Sequence, residues 1–233
     1  MLAALAGRYT VAFPADHANG DPNIPKGDGF GVLVVDPNGA TQLFGFLSDG
    51  SVFTRGGWID EDGRLAIYAP FSGSGALGGV LAFSDTPRSD LAGTLHWTKP
   101  ATPGARYFPQ PFDTTIAATG SRYTPPATGR PALTVAAANP NARLVLGDGN
   151  LGREIAQPAL IRGDNIVSLA APLLPTLAMT INAPSGGFSG TFTHPANGAV
   201  TQFRGVILRK QNSAVGFFLG VNRSGYATLA PAQ

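Results

Sequence analysis

The sequence predicts an all-β protein built from antiparallel meanders, and three observations lead to this prediction. Apolar and polar residues alternate with period two along most of the 233-residue chain. Gly and Pro, with 31 and 20 residues, recur between the apolar segments as turn formers. Helical periodicity is almost absent, and its best candidate, APLLPTLAMTI, is interrupted by proline. Short strands joined by tight turns are therefore expected.

The first half of the chain reads as one continuous meander. FGVLVV leads into the turn DPNG and returns through ATQLFGFL, and the Asp-Gly of SDGS marks the next reversal. VFTRGGWI and RLAIYAPF flank a further turn, DEDG, and GALGGVLAF and LAGTLHWTKP continue the pattern. Strands that follow each other in sequence are therefore expected to pair as antiparallel neighbours.

A proline-rich stretch from Lys99 to Pro126 interrupts this pattern. It carries the aromatic residues Tyr107, Phe108 and Phe112. Because a free linker would be polar, we expect the stretch to be a packed crossover. The strand pattern then resumes with ALTVAAA and RLVLGDGN and continues to a last hairpin around VNRSG.

Two pairs of segments echo each other across the chain, GRYT with SRYT and LAGTLHWTKPA with FSGTFTHPA. We therefore predict two related halves, residues 1–112 and 113–233. Glycines within strands are typical of strongly coiled sheets, so each half is expected to be barrel-like, with a β-sandwich as the alternative. The side chains expected to face the interior are Val32, Val34, Phe44, Phe46, Leu81, Phe83, Leu95, Trp97, Phe192, Val206, Leu208, Phe217 and Leu219.

Composition excludes several classes of function. The formal net charge is +2 and the basic residues are scattered, so no phosphate-binding stripe and no nucleic-acid partner are expected. The chain has no cysteine, which excludes thiolate nucleophiles and zinc–thiolate sites. No apolar run approaches the roughly 20 residues of a transmembrane helix, so no membrane span is expected.

Several segments taken together resemble a known kind of module. GRYTVAF, GFGVLVVDPNG, LAGTLHWTKP, GVILRKQN and GFFLG are similar to a β-rich tandem module at the C-terminal ends of large secreted or surface proteins of environmental bacteria. The resemblance covers nearly the whole chain. It implies an extracellular or cell-surface location, an accessory role and neighbouring domains of a larger exported chain, and it carries no catalytic residues.

Candidate catalytic residues are few. The histidines are His17, His96 and His194, of which His96 is expected to face solvent on a strand and His194 to begin a turn. No G-x-S-x-G elbow occurs, and the acids of DED at 60–62 are expected to be solvated at a turn tip. The RGD at 162–164 is interpreted as a turn. A hydrolase would therefore need a site assembled from loops.

Two groups of residues are candidates for ligand binding. Asp16, Asn19 and Asp21 in the long polar loop supply oxygens suited to calcium, although their spacing departs from the EF-hand pattern and a turn-rich connection is the alternative. The aromatic residues Trp58, Tyr68 and Tyr107 are candidates for stacking on sugars, unless their rings fill the barrel.

We therefore predict a non-catalytic extracellular module with a structural, adhesive or ligand-holding role. Its expected partner is a glycan or a cell-surface protein, and calcium is the one candidate cofactor. A carbohydrate-binding module is the first alternative, to be recognised by Trp58 and a tyrosine on one exposed face. A hydrolase is the second alternative, to be recognised by a histidine within hydrogen-bond reach of both a serine and a carboxylate.

Overall fold

The structure is a computed structural model that describes residues 2–71, 73, 75–171 and 174–232. Within these ranges the chain forms one helical turn, α1 (Leu2–Leu5), and otherwise strands in two antiparallel sheets of eight. The prediction of an all-β, barrel-like fold is confirmed. Among the described residues no helix is long and apolar enough to cross a membrane.

The first sheet is a meander whose last strand returns to pair with its first. Its order is β4-β3-β2-β1-β8-β7-β6-β5, so β8 hydrogen-bonds to β1 and the edge strands β4 and β5 meet. Its strands are β1 (Gly7–Phe13), β2 (Gly29–Val35), β3 (Ala40–Phe46), β4 (Val52–Trp58), β5 (Arg64–Pro70), β6 (Ala76–Phe83), β7 (Leu91–Lys99) and β8 (Phe112–Arg122).

The seam between β4 and β5 almost closes this sheet into a barrel. Ile59 and Leu65 form one antiparallel bridge at one end of the seam. Farther along, the Arg55 guanidinium donates hydrogen bonds to the carbonyl oxygens of Tyr68 and Pro70 at 3.0 and 3.1 Å. A side chain thus supplies hydrogen bonds where the ladder between β4 and β5 is missing.

The second sheet repeats this cyclic arrangement. Its order is β11-β10-β9-β16-β15-β14-β13-β12, with β16 paired to β9 and the seam between β11 and β12. Its strands are β9 (Ala142–Asp148), β10 (Ile155–Ile161), β11 (Val167–Leu169), β12 (Ala178–Asn182), β13 (Gly187–Thr193), β14 (Val200–Leu208), β15 (Ser213–Leu219) and β16 (Ser224–Pro231).

Each barrel encloses its own apolar core. Leucine is the most frequent residue of both cores, and each core contains four buried phenylalanines. Both cores draw on every strand that alternates inward and outward side chains. Deeply buried members of the first core include Phe13, Leu33, Leu43, Leu65, Leu77, Leu81 and Leu95, and those of the second include Phe188, Phe192, Phe203, Ile207 and Phe218. Phe108 and Phe112 join the first core, so the proline-rich crossover is packed as expected.

The predicted orientation of β2 and β3 is wrong. Leu33 and Leu43 fill the first barrel, whereas Val34 and Phe44 point outward and are 44% and 43% exposed. Val32 and Phe46 also face outward and are half-buried. Both faces of these strands are apolar, because the outer face of β2 packs partly against the second barrel, and alternation alone cannot then assign the inner face.

A third apolar cluster joins the two barrels. Phe30 of β2 packs with Val206 of β14 and Phe217 of β15, flanked by Phe46 and Leu219. Val206 and Phe217 are therefore buried as predicted, but between the barrels rather than inside the second one. Hydrogen bonds add to the junction, since the hydroxyl of Thr10 donates to the carbonyl oxygen of Ile207 at 2.6 Å.

The division between the sheets falls later than the predicted boundary at residues 112 and 113. β8 runs to Arg122 as a full member of the first sheet, so residues 113–122 belong to the first barrel. The similar segments also occupy different positions in the two sheets. Counted along the chain, LAGTLHWTK forms the seventh strand of its sheet, and FSGTFT lies in the fifth strand of the other.

The similar segments share one local requirement, which is a glycine where two strands lie very close together. A Cβ at Gly93 would lie 2.0 Å from the carbonyl oxygen of Val80, and one at Gly190 would lie 2.2 Å from that of Ala178. In both places a neighbouring strand approaches so closely that only glycine fits.

Candidate functional site

Trp58 and Tyr68 stand on the outer surface of the first barrel, at the seam. They are 68% and 69% exposed, more than any other large apolar side chain among the described residues. β5 alternates strictly between exposed and buried positions, which directs Tyr68 outward, and Trp58 ends β4 on its exposed face. Soluble proteins rarely leave two large rings this open without a functional reason.

The seam places both rings on one face. The bridge between Ile59 and Leu65 sets Trp58 opposite Ala66, and Tyr68 follows two residues later on the same side of β5. Diagonal neighbours of this kind lie about 7–8 Å apart in a regular ladder. The seam lies away from the junction, which is formed by strands β1, β2, β14 and β15. We call Trp58 and Tyr68 the aromatic platform.

Glycines keep the platform clear of neighbouring side chains. Tyr68 is paired with Gly78, and a Cβ at that glycine would touch the Tyr68 ring at 3.6 Å. Gly56 and Gly57 precede Trp58 on β4 and likewise carry no side chain. The ring faces are therefore open to a ligand, while the backbone beneath them is fixed by the sheet.

Tyr107 lies elsewhere and is partly buried. Its hydroxyl donates a hydrogen bond to the carbonyl oxygen of Gly220 at 3.0 Å, and its ring packs against the first core. The guanidinium of Arg106 lies 5.1 Å from the centre of the same ring. The structure thus separates Tyr107 from Trp58 and Tyr68 and gives it a contact between the barrels.

The predicted calcium residues hold their own loop together. Side-chain oxygens of Asp16, Asn19 and Asp21 each accept a hydrogen bond from the backbone amide two residues later, at 2.8–3.0 Å. The ammonium of Lys26 donates to the carbonyl oxygens of Asp16 and Asn19. A positive charge already occupies the centre of this loop, and calcium binding here stays a prediction. No group of three or more acidic or histidine side chains suited to a metal occurs among the described residues.

A polar cluster that sequence reasoning missed lies where the long loop meets the second barrel. The imidazole of His17 stacks on the ring of Tyr226 with centroids 4.2 Å apart, and its Nε2 lies 3.0 Å from the buried carboxylate of Asp28. The hydroxyl of Tyr226 donates to Glu154 at 2.9 Å. No local pattern could reveal this cluster, because its members come from both ends of the chain.

The cluster changes the protonation of two of its members. Burial opposes charging of His17, but the hydrogen bond to Asp28 and the charges of Asp28 and Asp148 outweigh it and raise the pKa of His17. Burial and the hydrogen bond to Glu154 raise the pKa of Tyr226 to about 12. A charged His17 is therefore favoured, paired with Asp28 within its own loop while its ring stacks on Tyr226 of the second barrel.

The other histidines have structural surroundings. His96 is exposed on β7, as predicted. His194 begins a turn as predicted but is fully buried, with Nε2 2.8 Å from the carbonyl oxygen of Gly149 and Nδ1 accepting from the amide of Ala196. Within the described ranges no histidine hydrogen-bonds both a serine hydroxyl and a carboxylate, which is the geometry a hydrolase of the predicted kind requires.

The remaining sequence motifs are turns. Asp60 accepts hydrogen bonds from the amides of Asp62 and Arg64, which closes the DEDG turn. In the RGD segment, Arg162 and Asp164 form an exposed ion pair of 2.8 Å, and the following Asn165 adopts a left-handed conformation. Both observations agree with the turn interpretation of these acids.

Comparisons of the chain with protein-family models, with curated proteins and with solved structures give no match.

Proposed function

We propose that this protein is a non-catalytic, ligand-holding β module that binds carbohydrate on the aromatic platform. The observation that carries the proposal is the exposure of Trp58 and Tyr68, at 68% and 69%, on one outer face of a rigid barrel. Sugar rings present apolar C–H faces, and flat aromatic side chains on fixed strands match those faces with little loss of conformational entropy on binding.

The surroundings of the platform support this proposal. The neighbouring glycines Gly56 and Gly78 leave the rings accessible from the side, so an extended chain of sugars has room to lie across the seam. Gly78 pairs with both Tyr68 and His96, so the exposed imidazole of His96 lies two strands from Tyr68 on the same outer face and provides a hydrogen-bonding group. We also propose that the module is extracellular, as the sequence resemblance implies.

A second candidate, adhesion to a protein surface, is favoured by a different observation. Val34, Phe44 and Val52 are each more than 40% exposed on neighbouring strands β2, β3 and β4. Apolar side chains grouped in this way are typical of protein contacts. Both surfaces lie on the first barrel. Sugar binding should depend on Trp58 and Tyr68, whereas adhesion to a protein should depend on Val34, Phe44 and Val52.

A glycan array with matched variants tests the proposal. Trp58→Ala and Tyr68→Ala remove only exposed rings and should leave the melting temperature nearly unchanged, while binding to the recognised glycan falls by about tenfold or more. Ile166→Ala, which truncates an exposed apolar side chain of the second barrel, should bind like the unmodified protein. Equal binding by all variants, or no glycan bound by the unmodified protein, would reject the platform as a sugar site.

A further inference from the structure

The second barrel carries a groove on its outer face that is lined by both apolar and polar side chains. One depression of about 350 Å³ lies over strands β12, β13 and β14, and a second of about 310 Å³ continues toward Arg106 and Tyr107. Both are lined by Gln202 and Arg204, so these two side chains form their common wall. Ser189 faces Arg204 across the ladder, and Thr191 faces Gln202.

Arg204 is the charged centre of this groove. Its guanidinium lies 4.0 Å from the centre of the Phe46 ring of the first barrel, and burial lowers its pKa without removing its charge. Arg204 forms no ion pair and donates no hydrogen bond to any residue that the structure describes. A guanidinium held in place with its donors unused is prepared to bind an anion.

The lining of the groove selects the kind of anion. Among the described residues it contains two arginines and no acid, and its other polar side chains carry hydroxyls or amides: Tyr107, Thr180, Ser189, Thr191, Asn197, Thr201 and Gln202. Such short neutral groups match the hydroxyls of a sugar and leave the negative charge to pair with Arg204.

An extended peptide fits this groove less well. Strands β13 and β14, which form the floor around Arg204, are each hydrogen-bonded on both sides, and the unpaired edge of β12 faces the seam with β11. Peptides that bind β-sheets gain most of their affinity from such an edge.

We propose that this groove is a second binding site, specific for a carboxylate-bearing oligosaccharide whose carboxylate forms a bidentate pair with Arg204. The site lies on the other barrel from the aromatic platform and does not depend on it. The module therefore holds acidic polysaccharide through the second barrel, whatever ligand the first one takes.

Titration with a short oligogalacturonate, followed by calorimetry, tests this site. The unmodified protein should bind the acid and bind its methyl ester about tenfold or more weakly, because the ester lacks the charge. Arg204→Gln should weaken binding of the acid by a similar factor, and Gln202→Ala should weaken it less. Arg64→Gln, which removes an exposed charge from the first barrel, should bind like the unmodified protein.

Several outcomes would overturn the proposal. Equal weakening by Arg204→Gln and Arg64→Gln would show attraction to net charge alone, and equal binding of acid and ester would remove the role of the carboxylate. Competition by a glutamate-rich peptide at equal affinity would assign the groove to peptides. Melting temperatures monitor the fold of each variant, and Trp58→Ala must keep oligogalacturonate binding, which separates this site from the platform.

Discussion

The interiors of the barrels and the junction between them are built in different ways. Each interior is a large, mainly apolar cluster, whereas the junction has a small apolar centre at Phe30, Val206 and Phe217. Polar contacts surround that centre, such as Thr10 with Ile207 and Lys210 with Asp90. The difference indicates that each barrel is stabilised mainly from within, and that the junction fixes how the barrels are joined.

Truncation of a core ring should have the largest effect on stability. Phe192 is fully buried in the second barrel and packs edge-to-face on Phe218 at 5.2 Å. Phe192→Ala should lower the free energy of unfolding by about 3–5 kcal/mol, because it leaves a cavity in a closed barrel. Phe217→Ala at the junction should lower the free energy of unfolding by only about 1.5–3 kcal/mol, because the two barrels can move closer and fill part of the space.

Denaturant titration, followed by tryptophan emission and by circular dichroism, measures the free energy of unfolding of both variants. Trp58 and Trp97 lie in the first barrel, so tryptophan emission reports that barrel while circular dichroism reports both. Phe192→Ala should shift the dichroism transition more than the emission transition. Equal shifts of both signals in the two variants would contradict the distinction between interior and junction.

Overfilling the close contact between β14 and β15 should have an intermediate effect. Gly216 of β15 is paired with Gly205, and a Cβ at Gly216 would lie 2.0 Å from the carbonyl oxygen of Arg204. Gly216→Ala should therefore cost about 1–3 kcal/mol through forced backbone shifts. Gly56→Ala on β4, where the nearest atom would lie 3.7 Å away, is the matched control and should change the melting temperature little. A tolerated Gly216→Ala would mean that the strands are free to move apart.

The dependence of stability on pH should be the smallest effect. The pKa of His17 is raised above its usual 6.5 in the folded protein, so its charged pair with Asp28 contributes fully below about pH 6.5 and is lost as pH rises through the folded pKa. The difference in melting temperature between the unmodified protein and His17→Gln should therefore be greatest near pH 6 and shrink at higher pH. The exposed His96→Gln should show no such trend. A difference that grows with pH would refute the pairing.

Local patterns predicted the local features of this fold. The turns at DPNG, SDGS and DEDG reverse the chain where Asp and Gly predict it. These outcomes depend on neighbours a few residues apart, which the sequence displays directly.

Features that depend on distant contacts could not be predicted in this way. The inner face of β2 was misassigned because Phe30, Val32 and Val34 are as apolar as the residues that line the barrel, and only the second barrel explains why. The stacking of His17 on Tyr226 and the placement of Arg204 over Phe46 likewise join different barrels. Arg204 has no motif around it, so no sequence signal marks the groove.

The pairing of the first and last strands in each barrel has a further consequence. Tyr9 lies beside Arg122 in one barrel, and Ala142 beside Pro231 in the other. The two ends of each barrel are therefore close together. Either barrel could be inserted into a surface loop of another protein without separating the two ends of that loop. Each barrel is therefore suited to duplication and to insertion into other proteins as a unit.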